Sequence, residues 1–369
     1  MLSGRILTPE GWVLGRVRHE ATITAVEPDP AAPADRFILP GFVDLHVHGG
    51  GGADVMAGAE AVARMARFHA GHGTTALLAT TVTAPRAKLL LAAEGVAAAA
   101  HAPGAARVLG LHLEGPFLNP AAMGAQPPFA IAPDLALVDA LAARARLRVV
   151  TMAPEMDPGG VLLAHFLRRR ARVQIGHTTC SFAQAKAALD AGASGFTHLF
   201  NAMPALHHRA PGCAGCALAH ADHAEMIFDL QHVAVGALLA ARRAIPGLYG
   251  VTDAVAAAGM PDGEYWLGDQ PVFKRGDTVR LANGTLAGSA LTMDAALRNL
   301  LSLGVPMDEA SARLSAIPAR YLGLADRGRI AVGCMADLVV VDAAGSLLGV
   351  VAEGVAVAAS PPPGAPGHA

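Results

Sequence analysis

Two hydrophobic patterns divide this chain. From Met1 to about Ile38, short runs such as RILT, GWVLGRV and ATITAVEP alternate apolar with polar positions between Gly and Pro, as antiparallel strands with one wet face do. The same texture returns after about Asp326, in RGRIAVGCMADLVVVDAAGSLLGVVAEG. Between these ends, compact apolar runs alternate with Ala-rich stretches whose apolar residues recur every three or four positions, such as AEAVARMARFHA and FAQAKAALDA. That alternation predicts βα units around a parallel sheet, with helices covering it from outside. The runs predict strands at Phe37–His48, Thr74–Thr81, Val108–Gly115, Arg148–Pro154, Val173–His177, Gly195–Leu199, Glu225–Leu230 and Leu248–Asp253. The expected fold is therefore α/β: a (β/α)8 TIM-like barrel over 39–325, and a small β-sandwich domain built from both termini, 1–38 and 326–357. The tail 358–369, SPPPGAPGHA at its end, has no apolar periodicity and is expected to be disordered.

Several of these strands end on side chains that bind metals. His46 and His48 follow FILPGFVDL, Glu114 follows RVLGLHL, His177 follows RVQIG, His198 follows GFT, and Asp253 follows GLYGVT. A β/α barrel keeps its chemistry at the C-terminal ends of its strands, where side chains enter the mouth. His46 and His48 lie two apart, so both imidazoles leave the strand on one side and can meet one ion. The order of these residues reads as a metallohydrolase.

Composition narrows the partners. The chain has 369 residues, 53% hydrophobic and 16% charged, enough to bury a large core. A formal net charge of -2 leaves no basic field for nucleic acid and no polybasic stripe for anionic lipid, so small molecules and further copies of the chain are the expected partners. No run reaches the ~18 uninterrupted apolar residues of a membrane helix, and the N-terminal segment lacks a signal-peptide core. Four cysteines make no disulfide framework, and a cytoplasmic protein is expected. Cys213 and Cys216 form one CAGC in what reads as a Gly-rich loop, without the second pair a structural zinc site needs. GGGGAD carries neither the P-loop nor the dinucleotide pattern.

PGFVDLHVHG, HLEGPFLNP, GHTTCS, THLFNAM, VTDA and LAGSALTM, in this order and spacing, resemble the N-acetylglucosamine-6-phosphate deacetylases, a branch of the amidohydrolase superfamily. The resemblance runs from about Gly4 to Val341. It implies that Glu114, His177 and His198 hold a tightly bound divalent metal, Zn2+ first, with Fe2+, Mn2+ or Co2+ as alternatives. One carboxylate with two imidazoles suits a catalytic zinc. His46 and His48 would complete a second, weaker site, so one or two ions are open. Asp253 would be the catalytic acid and base, taking a proton from water and returning it to the leaving nitrogen.

The resemblance also implies substrate contacts at Ala125, Gln126, Asn201, Ala202, His232, Leu286, Ala287 and Gly288. It implies a homodimer in which Arg209 reaches the sugar phosphate of the neighbouring subunit; a guanidinium fork suits that anion. Two departures stand out. Gln126 occupies a position where most of the family has a histidine that meets the substrate carbonyl, and FDLQHV has Gln231 where Gly is commoner. They leave N-acetylgalactosamine 6-phosphate, or another N-acyl amino-sugar phosphate, as an alternative substrate. A cyclic amidohydrolase or deaminase, or a non-catalytic relative of the same barrel, are the rival classes.

Overall fold

The computed structural model describes residues 1–99 and 103–357; the tail 358–369 lies outside them. Eight parallel strands alternate with helices. Six form one ladder, in spatial order Phe42–Val47, Thr74–Thr81, Arg107–Glu114, Leu147–Met152, Arg172–Ile175 and Gly195–Phe196. His223–Ile227 and Gly247–Val251 form a parallel pair. Backbone bonds join this pair to both edges of the ladder: Leu199 N–H donates to Glu225 O at 2.9 Å, and Asp253 N–H to His46 O at 2.9 Å. Thr74–Thr81 is buried along its whole length, as a strand covered on both faces must be. The helices Ala59–Ala70 and Phe182–Asp190 fall where the periodicity puts them, the second started by a capping box of Ser181 and Gln184.

The predicted strand Phe37–His48 is two strands. Phe37–Pro40 belongs to the terminal sheet and Phe42–Val47 to the parallel one. Pro40 has no N–H for a ladder, and Gly41 runs so close to the next strand that a Cβ there would stand 2.2 Å from Thr75 Oγ1.

Strands from both chain ends share one sheet, in the order Val355–Val357, Leu347–Ala352, Leu338–Val341, Phe37–Pro40, Leu2–Thr8, Gly11–His19, Ile23–Pro28. The two chain ends are thus hydrogen-bonded into one seven-stranded order. Ile6, Val17, Ile38 and Leu338 share its apolar cluster. Arg327 pairs with Asp337 and Glu353, and Glu353 also accepts from Arg107 at 2.7 Å, which ties this sheet to the parallel strand at 107–114.

An element the hydrophobic pattern missed follows the last parallel strand. Gly263–Leu267, Gln270–Arg275, Thr278–Arg280 and Leu286–Ser289 form a four-stranded sheet of antiparallel neighbours. Its Leu267, Val272, Val279 and Ala287 pack on Val82 and Val255 above the strand ends. Cys213 and Cys216 lie in the helix Gly212–His220 instead of a loop, and all four cysteines are buried and free. Among the described residues no helix is long and apolar enough to cross a membrane.

Candidate active site

Three of the strand-end side chains sit on left-handed backbone: His177 at φ 47°, His198 at 30° and Asp253 at 51°. Such a φ ends a ladder, so the strands before these residues stop at Ile175, Phe196 and Val251, shorter than the pattern suggested. Non-glycine residues in this region cost about 1–3 kcal/mol each, and surrounding bonds hold them there. Asn119 N–H donates to His177 O at 3.0 Å, and Asn119 and Thr179 converge on the Glu155 carboxylate, so HLEGPFLNP braces the GHTTC turn. Asn201 Nδ2 donates to His198 O at 3.0 Å. Ser289 N–H donates to Asp253 O at 2.8 Å; Gly288, at φ +57°, approaches so closely that a Cβ would lie 2.8 Å from that oxygen.

The tautomers follow from the partners. Nδ1 of His46 faces Glu225 Oε2 at 2.9 Å, Nδ1 of His48 faces Thr80 O at 3.1 Å, and Nδ1 of His177 faces Ala122 O at 3.0 Å. Carbonyls and carboxylates only accept, so each Nδ1 carries a hydrogen and Nε2 is left as the atom that can take an ion. His198 Nδ1 is buried without a partner. The Nε2 atoms converge: His198 Nε2 is 3.1 Å from His177 Nε2 and 3.0 Å from Glu114 Oε1. On the other side of the same carboxylate, His48 Nε2 is 3.1 Å from His46 Nε2, 3.1 Å from Glu114 Oε2 and 3.2 Å from Asp253 Oδ1. Nitrogens and carboxylate oxygens crowded this closely need positive charge between them, as protons or as a metal ion, and the outer hydrogen bonds orient the rings for it. The donor set thus fits divalent metal, as two ligand groups: Glu114 with His177 and His198, and His46 with His48 and Asp253.

Protonation reflects the same crowding. Burial pulls the His48 imidazole down, but hydrogen bonds to Asp253 and Glu114 and their charges outweigh it and raise it to about 9. His46 is likewise pulled down by burial and raised well above its usual value by the charges of Glu114, Asp253 and Glu225. Burial alone would raise Asp253; the charge of His46 and the hydrogen bond and charge of His48 hold it at about 2. A third grouping, His46, His112 and Glu225, is a support. His112 faces Leu45 O at 2.9 Å and Thr151 Oγ1 at 2.8 Å, which engages both nitrogens, and burial, helped by the His46 charge, lowers it to about 4.

A cavity of about 350 Å³ opens over these groups. His48, Glu114, Ala125, Gln126, His177, His198, Asn201, Ala202, His232, Asp253, Leu286 and Gly288 line it. His46 is fully buried beneath. Ala287 points away into the apolar cluster because neighbouring positions of a strand face opposite sides. Arg209 lies outside the cavity on an exposed loop, and its guanidinium has no acid partner among the described residues. His207 and His208 are exposed beside it. A larger cavity of about 630 Å³, between the terminal sheet and the helix Ala316–Leu322, holds none of these groups.

Sequence reasoning missed Arg280, the sole Lys or Arg among the lining residues described. It comes from the antiparallel insertion and donates to Gly284 O at 2.8 Å. His232 stands in the same cavity, its Nδ1 2.6 Å from Asp229 Oδ2; burial lowers it, but the hydrogen bond and charge of Asp229 raise it overall. Glu225 was also missed, as a strand-interior acid with no motif spacing around it.

The amidohydrolase family model matches residues 37–357, and the chain belongs to the amidohydrolase family. Its relatives there are amino-sugar-phosphate deacetylases. The chain is 40% identical over 333 residues to an N-acetylgalactosamine-6-phosphate deacetylase of Escherichia coli O157:H7, covering 87% of this chain and 88% of that one. It is 38% identical over 343 residues to an N-acetylglucosamine-6-phosphate deacetylase of Bacillus subtilis (strain 168), covering 89% and 87%. The structure superposes with a TM-score of 0.88, at 34% identity and covering 96% and 98%, on a mutant N-acetyl-D-glucosamine-6-phosphate deacetylase of Mycobacterium smegmatis in complex with N-acetyl-D-glucosamine-6-phosphate.

Proposed function

We propose that this protein hydrolyses the N-acetyl group of N-acetyl-D-glucosamine 6-phosphate, giving D-glucosamine 6-phosphate and acetate. The observation that carries the reading is one cavity that brings together an ionised Asp253, the two ligand groups on either side of the Glu114 carboxylate, and the Arg280 guanidinium. The eight parallel strands are read as one (β/α)8 barrel, supported by the backbone bonds at both joins, with the ligand groups at its C-terminal mouth.

Glu114, His177 and His198 would hold the principal ion, and His46, His48 and Asp253 a second. When bound there, a divalent ion, Zn2+ first, supplies Lewis acidity that polarises the acyl oxygen and eases deprotonation of water. Asp253, ionised at neutral pH, takes the proton from the attacking water and returns it to the departing nitrogen, so that an amine leaves instead of an amide anion. His46 and His48 hold Asp253 Oδ1 in place, at 3.5 and 3.2 Å. Arg280 and His232 receive the phosphate, while Asn201, Ala202, Leu286 and Gly288 shape the hexose pocket; Ala125, and Ala287 through its backbone, complete its wall. Arg209, exposed and without an acid partner among the described residues, would reach the cavity of a second copy in a homodimer. Four free, buried thiols suit a reducing cytoplasm.

The galactosamine epimer is the second reading. The observation that favours it is the 40% identity to an N-acetylgalactosamine-6-phosphate deacetylase. Acetate release from both 6-phosphates, and from the unphosphorylated sugars, decides between them. Turnover of the glucosamine phosphate above its epimer is expected; the reverse order would replace the first reading by the second, and no acetate from any would refute both.

A further inference from the structure

We infer that Gln126 is a positioning residue for Glu114, fixing the plane of its carboxylate so that one oxygen faces each ligand group. The Gln126 side chain is buried where the loops after two neighbouring strands meet. Its Oε1 accepts the Thr83 backbone N–H at 2.7 Å, and its Nε2 donates to Glu114 Oε2 at 2.5 Å. The amide cannot be turned over, because a backbone N–H only donates and an ionised carboxylate only accepts.

The last torsion of a glutamate is broad, so an unrestrained Glu114 could rotate its carboxylate out of the plane in which its oxygens face the two groups. The amide removes that freedom. Oε2 is held toward Gln126 and His48, the latter at 3.1 Å, and Oε1 is left to His198 at 3.0 Å and His177 at 3.2 Å. The anchor is stiff, since Thr83 stands two residues beyond the strand Thr74–Thr81, beside Arg107–Glu114 in the ladder. There is no slack at the junction either: a Cβ on Gly115 would fall 2.2 Å from Thr83 Oγ1. The resemblance to the deacetylases assigns this position to the substrate carbonyl. Here at least one amide hydrogen serves Glu114 instead.

The test is Zn2+ affinity of the metal-stripped protein by chelator competition, together with the visible absorption of the Co2+-loaded protein, which reports ligand geometry. Gln126→Met keeps the length and removes both polar atoms; it should bind Zn2+ about 10–100-fold more weakly and shift the cobalt bands. Gln126→Asn, too short to span Thr83 and Glu114, should show the same loss and carries the test if the methionine variant does not fold. Wild-type Zn2+ affinity and an unchanged cobalt spectrum in a folded variant would overturn the inference, and a raised KM alongside them would return Gln126 to the substrate. Neither metal readout involves turnover, so the result is independent of which acyl sugar the protein takes.

Discussion

The Nδ1–H of His46 donates to the buried carboxylate of Glu225 at 2.9 Å, and that bond aims His46 Nε2 at the space between Glu114 and Asp253. Glu225 Oε2 also accepts the His198 backbone N–H at 3.3 Å, so one carboxylate steadies a histidine of each ligand group.

Replacing Glu225 by Leu should therefore weaken metal binding by about 10–100-fold, the usual effect of losing an outer partner of a metal-binding histidine. Chelator competition measures it. Wild-type affinity in the variant would mean that packing alone orients His46.

The metal-free protein should lose stability as pH rises. His48 is raised from 6.5 to about 9, so its protonated form stabilises the fold; that contribution is fully present below about pH 6.5 and lost as pH climbs through about 9. Asp253, depressed from 3.8 to about 2, contributes above its unfolded value and fails only as pH falls through about 2. The melting temperature of the stripped protein should fall between pH 6.5 and 9. Metal must displace the His48 proton, so affinity should rise over the same window, with proton release visible by calorimetry in buffers of different ionisation enthalpy. A flat profile would mean His48 is neutral throughout.

Arg280→Met should raise KM for the sugar 6-phosphate by about 10–100-fold with kcat little changed, as expected for removing a charge-assisted hydrogen bond made equally in ground and transition states. The unphosphorylated sugar should be unaffected. Equal losses on both would place Arg280 in the fold of the hairpin that carries it.

Mixing Arg209→Ala with Asp253→Asn subunits should restore about a quarter of wild-type activity if Arg209 serves the neighbouring cavity of a two-fold dimer, because only the mixed dimers contain one intact site. No recovery would confine Arg209 to its own subunit.

The ligand groups were legible because strand ends in an alternating βα pattern point into one mouth, and His46, Glu114, His177, His198 and Asp253 each close an apolar run. The layer behind them was not. Glu225 and His112 lie inside strands, where only the three-dimensional register reveals that they meet His46. Arg280 escaped for a different reason: TVR and LAGS are too short to announce a sheet, and folding over Val255 gives them their place. The left-handed turns at His177, His198 and Asp253 shortened three predicted strands, since the backbone φ of a single residue leaves no periodic trace.

Acetate release from N-acetyl-D-glucosamine 6-phosphate by wild-type and Asp253→Asn proteins, each metal-analysed, tests the account most directly. The account predicts turnover by the wild type and a loss of at least about 100-fold in kcat for the variant at undiminished metal in the Glu114, His177 and His198 group, matching removal of a general base and acid. A metal-loaded Asp253→Asn protein that releases acetate at the wild-type rate would contradict it.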